Sequence, residues 1–166
     1  AFYITRPARG KDHPAVAPGK SPEDPVRFRT AHCMCNDCRL CSGSQIMTWT
    51  SVPTANVFDA ATKTPIDFIN REKRPEGLHQ YRSSEGVYRE TCTKCGAQVF
   101  WYRVRAEGEP KKVDIATGLV DQDKAGGVRA ESWFAWETKV EYPELAVGKG
   151  AAKALQEGYQ AFVSRN

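Results

Sequence analysis

The chain has 166 residues, with Lys+Arg 24 against Asp+Glu 20 for a formal net charge of +4, and 10% of its residues are aromatic. That length supports one domain with a real core, and the aromatic content argues against disorder. No stretch approaches the roughly 20 apolar residues that span a bilayer, and a charge this mild demands no acidic partner.

Taken in chain order, Ala1–Thr5 alternates as a short strand, Phe2 and Ile4 against Tyr3 and Thr5. Arg6–Pro25 carries five prolines and two glycines and reads as a long surface loop. Val26–Thr30 alternates again and leads into a dense cysteine run. Gln45–Val52 is rich in β formers and reads as a strand, and Val57–Phe58 and Ile66–Ile69 read as two shorter ones. Leu78–Arg82 and Val87–Thr91 flank Ser84-Glu85-Gly86, which predicts a hairpin. Ala97–Val104 is the most strand-like segment, and Val113–Leu119 follows it. Ser132 is placed to cap a short helix carrying Trp133, Trp136 and Val140. Leu155, Tyr159, Phe162 and Val163 predict an amphipathic C-terminal helix over 149–165. The expectation is a single domain over 1–166, mainly β, with short C-terminal helical elements.

Six cysteines carry the chemistry, four of them within Cys33–Cys41 and two at Cys92 and Cys95. A secreted disulfide scaffold spreads its cysteines to close many loops, whereas two tight clusters read as metal ligands in a reducing, cytoplasmic or nuclear setting. Zinc takes thiolates in a tetrahedral array. Three protein ligands leave one position open, as in a catalytic site, and four close it. Cys33, Cys35 and Cys38 suit one ion. Spacing equally allows Cys35, Cys38, Cys92 and Cys95 to form a closed structural site from two C-x-x-C knuckles. An iron–sulfur cluster lacks its usual spacing and following proline.

Cys33-x-Cys35-x-x-Cys38-Arg39 with Ser42-Gly43-Ser44, then Tyr81–Val87, Arg89, Cys92-x-x-Cys95-Gly96-Ala97 and Val113–Asp121 resemble the glutathione-dependent formaldehyde-activating (GFA) enzyme family, which also contains centromere protein V. The resemblance implies an Mss4-like (β-tent) zinc-binding fold. It implies a catalytic Zn2+ on Cys33, Cys35 and Cys38. It also implies a second, structural ion on Cys92 and Cys95 together with a C-x-C pair that precedes a strand like Ala1–Thr5. That pair is absent from this sequence, so either the chain starts just after it or this member lacks the structural site. The implied activity is that of a carbon–sulfur lyase of the S-(hydroxymethyl)glutathione synthase kind, acting on a small-molecule thiol such as glutathione and a small carbonyl compound. The alternative is a zinc-stabilised binding module, like centromere protein V. Charges of both signs alternate, which disfavours a nucleic-acid reader, and no membrane partner is expected.

Among the remaining candidates, His32 borders the cluster and is expected to line the site, not to ligate. Cys41 reads as a spare thiol, buried as a small hydrophobe. Arg39, Arg82, Arg89 and Lys94 are the cations near the motifs that could meet a substrate carboxylate. Trp49, Phe100 and Trp101 read as core, and Asp114 and Asp121 as turn or strand-edge carboxylates. His13 and His79 are expected to be structural or solvated.

Overall fold

The structure is a computed structural model that describes residues 1–6, 13–17, 26–105, 108, 110–120, 134–141 and 157, with the backbone alone for 134–141. β1 (Phe2–Ile4) pairs antiparallel with β5 (Val57–Asp59) in a small two-stranded sheet. The larger sheet runs in the order β10 (Phe134–Glu141), β3 (Arg27–Cys33), β4 (Met47–Pro53), β9 (Lys112–Ala116), β8 (Gln98–Arg103), β7 (Val87–Cys92), β6 (Leu78–Ser84). β2 (Val16–Ala17) adds to β3, and every pairing is antiparallel except β10 with β3. The chain is mainly β, as its alternating segments predict. Among the described residues, no helix is long and apolar enough to cross a membrane.

Side chains in a strand alternate between faces, and directly paired residues share one. One face of the large sheet is the main core. Phe28, Val52, Phe100, Tyr102, Val113 and Ile115 lie on it, fully buried. The β1–β5 pair and the segment after it close over this face: Val57, Ile66 and Phe68 are buried there, and the Phe2 ring centroid lies 4.8 Å from that of Phe100. Polar groups on the same face pair with one another. Thr50 Oγ1 lies 3.0 Å from Thr30 Oγ1 and 2.8 Å from Thr117 Oγ1. Glu90, fully buried, accepts from Tyr102 Oη at 2.7 Å and pairs with the Arg74 guanidinium, which also donates to Tyr102 Oη. This network ties the segment through Arg74 to the middle of the sheet.

The β6–β7 hairpin forms as predicted, and its turn needs glycine. Gly86 has φ 67°, and a Cβ there would lie 2.6 Å from the Val104 carbonyl oxygen. Two other expectations change. Ile66–Ile69 is not a strand; Ile66 and Phe68 are buried from an irregular segment, because alternate apolar residues can cap a core without joining a ladder. The helix predicted after Ser132 is instead β10. Its Phe134, Trp136, Thr138 and Val140 also fit a period of two, and β-branched and aromatic residues favour the strand. Ser132 and Trp133 lie outside the described residues, as does Asp121; of the C-terminal helix predicted at 149–165, Glu157 alone is described, and it is helical. So does most of the Pro-rich loop. Its described piece, His13–Ala17, is held to the sheet by the His13 ring, which lies 3.0 Å from the Lys111 carbonyl and accepts from Ala15 N at 3.1 Å.

Removing the carboxylate from the core network leaves Arg74 charged and largely buried. The Glu90→Ala variant is therefore expected to lose about 3–5 kcal/mol of stability, read as a lower midpoint in urea unfolding. An unchanged midpoint would show that the network is incidental.

Candidate metal centre

The opposite face of the large sheet carries the first cysteine cluster. β3 ends on Cys33, two residues beyond Ala31, which pairs with Trp49, which pairs with Ala116. The chain then turns through fully buried Met34 into α1 (Asn36–Ser42). Cys35 caps this helix: its Sγ accepts from the Cys38 N–H at 3.4 Å, the role a serine or aspartate usually plays. Asp37 sits in the first turn. Gly43, at φ 66°, ends the helix with its N–H on the Arg39 carbonyl at 2.9 Å, and Ser42 Oγ donates to the Cys38 carbonyl at 2.7 Å. The Ser42-Gly43-Ser44 motif is thus the stop signal that fixes the orientation of α1.

This geometry gathers Cys33, Cys35 and Cys38, whose sulfur atoms all lie within 4.8 Å of one another. Among the described residues, no other His, Cys, Asp or Glu joins them. Cys33 and Cys38 are buried, with Trp49 and Ala116 packed on them and Trp101 and Met47 half-buried alongside. Three soft thiol donors in a small, largely apolar recess fit zinc with one position left for another ligand.

The three thiols are not equivalent. The Cys33 thiol donates to Cys38, and Trp49 and Cys35 add further hydrogen bonds. The Arg89 guanidinium donates from both Nη1 and Nη2, each 3.8 Å from Cys38 Sγ. Against the cost of burial, these contacts hold the Cys38 thiol down to about 5. Cys33 pays the converse: its hydrogen bond to Cys38 and its own burial push it well up. Burial raises Cys35 as well. Three neighbouring sulfurs cannot all ionise without a cation, and Cys38 is the one that does so first.

Other candidates are placed away from the cluster. His32 follows the alternation onto the core face, where its Nδ1 lies 2.9 Å from Thr48 Oγ1; burial lowers its basicity. Phe100 is in the main core. Trp49 is core, as read from sequence, in a second buried cluster with Cys33 and Cys38, and Trp101 is half-buried against that cluster. Cys41 is exposed, contrary to its reading as buried, because α1 lies on the surface and buries only Cys38. Asp114 is engaged by Ser51 Oγ and by Lys112 Nζ at 3.2 Å. Of the four candidate cations, Arg82 and Lys94 are exposed, Arg39 turns to Asn36 on its own helix, and Arg89 is 3% exposed beneath Cys38. A buried guanidinium against a sulfur is the feature that sequence reading missed.

Cys92 and Cys95 form a separate knuckle. Cys92 N donates to the Ala97 carbonyl at 2.9 Å, and Gly96 N to the Cys92 carbonyl at 2.8 Å. The backbone N–H groups of Cys95 and Lys94, with the Cys95 thiol, point at the Cys92 sulfur and lower its pKa. Among the described residues this pair does not join the first cluster, so the rival site built from Cys35, Cys38, Cys92 and Cys95 is not what the fold assembles.

In the metal-free protein, thiolate absorbance is expected to show a step that is lost as pH falls through about 5, far below the ordinary thiol range, and Cys38→Ser should abolish that step. A wild-type titration with no step below pH ~7 would contradict the geometry.

No curated protein matches the chain. The family described as "Glutathione-dependent formaldehyde-activating enzyme" matches residues 20–136, a span that holds both cysteine motifs and Arg89, and the chain belongs to that family.

Proposed function

We propose that the chain is a zinc-dependent enzyme of the carbon–sulfur lyase type, joining or separating a thiol, glutathione in the first instance, and a small carbonyl compound. The observation that carries this reading is the convergence of three sulfurs within 4.8 Å, with no fourth protein ligand among the described residues. Cys33, Cys35 and Cys38 would hold the ion. Zinc bound there supplies a Lewis acid with an open position, able to acidify a thiol or polarise a carbonyl oxygen.

The chain's own residues prepare that position. Cys38 is already poised as a thiolate, so one ligand is ready in its charged form. Trp49 and Trp101 exclude water from one side of the sulfurs, which strengthens the electrostatic contacts there. The reaction itself is balanced without a redox partner: a carbon–sulfur bond forms or breaks while a proton moves between the thiol sulfur and the carbonyl oxygen. Asp114 is engaged by Ser51 and Lys112, so the proton has no need of it. Cys92 and Cys95 are proposed as half of a second, structural site. Membership of the family and the three-sulfur geometry favour the enzyme over a binding module; no described feature favours the latter specifically.

Metal analysis of the purified protein is expected to find zinc, and chelation should remove the acceleration of glutathione–formaldehyde adduct exchange measured by NMR. Cys38→Ser is expected to lower that acceleration at least about 100-fold. Zinc without any effect on glutathione and small aldehydes would leave the family and the site standing and remove the substrate assignment.

A further inference from the structure

We propose that Arg89 is a positioning residue: the fixed counter-charge of the three-cysteine site, making it prefer an anionic, thiolate-type ligand over a neutral one. This rests on the reading of the cluster as a metal centre and extends it to the choice of the fourth ligand.

The argument begins with charge. Three thiolates around a divalent cation leave a net charge of −1, and an anionic fourth ligand makes it −2. In a recess where Cys33, Cys38 and Trp49 are each less than a tenth exposed, that second negative charge is costly unless a cation stands nearby. Arg89 supplies one. Its side chain is 4% exposed, and both terminal nitrogens donate to Cys38 Sγ at 3.8 Å. Its Nε is buried without a hydrogen-bond partner among the described residues. Arginine's delocalised guanidinium carries a permanent charge.

The sheet explains why Arg89 is fixed. Ser51, Asp114, Trp101, Arg89 and Tyr81 are successive direct partners across β4, β9, β8, β7 and β6, and form one row of side chains on the sulfur face. Arg89 therefore stands between Trp101, which packs on the cysteines, and Tyr81, which is 56% exposed. Its alternation partner Glu90 is locked in the core network on the other face. The arginine is placed by a ladder and by a buried neighbour, not by a loop.

Among the described residues, one group opposes it. Asp37 Oδ2, on the exposed side of α1, lies 3.9 Å from Arg89 Nη2 and is 61% exposed. It offsets part of the arginine's charge from the solvent side. Removing each charge should thus move ligand preference in opposite directions.

The test uses the full chain loaded with cobalt(II), whose visible spectrum reports the ligands around the metal. It is titrated at fixed pH with 2-mercaptoethanol, which binds as a thiolate, and with imidazole, which binds as a neutral ligand. Arg89→Met is expected to weaken 2-mercaptoethanol binding about tenfold or more and to leave imidazole within about threefold of wild type. Arg89→Lys should restore most of the difference. Asp37→Asn, a substitution on the surface, should tighten 2-mercaptoethanol binding about twofold to threefold without affecting imidazole. Equal losses for both ligands in Arg89→Met, or no loss for either, would overturn the inference. If Arg89→Met does not fold, an Asp37→Asn protein with unchanged or weaker thiol binding overturns it instead. A wild-type protein with no cobalt–thiolate band would bring down the metal centre and the inference together. Normal ligand discrimination without glutathione–aldehyde activity would uphold the inference while removing the proposed reaction.

Discussion

Strict alternation along the strands is the constraint on which the site depends. Three neighbouring pairs, His32/Cys33, Arg89/Glu90 and Phe100/Trp101, are each split between the two faces of one sheet. His32, Glu90 and Phe100 turn to the core face, and their neighbours Cys33, Arg89 and Trp101 are thereby aimed at the sulfur face. A one-residue slip of β7 against β8 would exchange Arg89 with Glu90 and put a carboxylate against Cys38. Register is protected by what the core face holds: Glu90 with Tyr102 and Arg74, and Phe100 against Phe2 and Phe68. The chemistry of one face is set by the packing of the other.

Electrostatics follows from that placement. Burial alone raises a thiol, as it does for Cys35, and a dry recess would by itself keep all three cysteines protonated. Cys38 departs from this because several donors converge on its sulfur: the Cys33 thiol, the Trp49 indole, the Cys35 thiol and the Arg89 guanidinium. The asymmetry is useful to a metal centre. A cluster with one thiolate preformed needs to shed fewer protons when a cation enters.

Much of the fold was legible in the sequence because period-two alternation is a local signal. β1, β3 to β5, the β6–β7 hairpin, β8 and β9 all fall on segments whose apolar residues alternate or whose β formers cluster. The three-cysteine cluster was legible too, since short spacing leaves thiols little choice but to converge. Other features depended on tertiary context. Trp136 and Val140 fit a helix as well as a strand, and only the pairing of 134–141 with β3 decides between them. The helix inside the cysteine motif was hidden because its cap is Cys35, a residue that does not ordinarily signal one. Arg89 was one of four plausible cations; its burial comes from Trp101 and α1, which the sequence separates from it.

The two C-x-x-C motifs show how far spacing reaches. Cys35 and Cys38, like Cys92 and Cys95, are separated by two residues, and each pair has its first sulfur approached by backbone N–H groups. They differ in surroundings. The first motif opens a helix, recruits Cys33 from the preceding strand, and lies against two tryptophans and an arginine. The second turns tightly between β7 and β8, leaves Cys95 exposed and, among the described residues, meets no buried cation. In the second motif Cys92 is half-buried, and its sulfur is approached by the backbone N–H groups of Cys95 and Lys94. A thiolate in the dry recess has its charge balanced by one residue, Arg89, so the recess is where a change of ligand would be felt. The same spacing meets two different surroundings because the fold buries Cys38 in the first motif and leaves Cys95 exposed in the second.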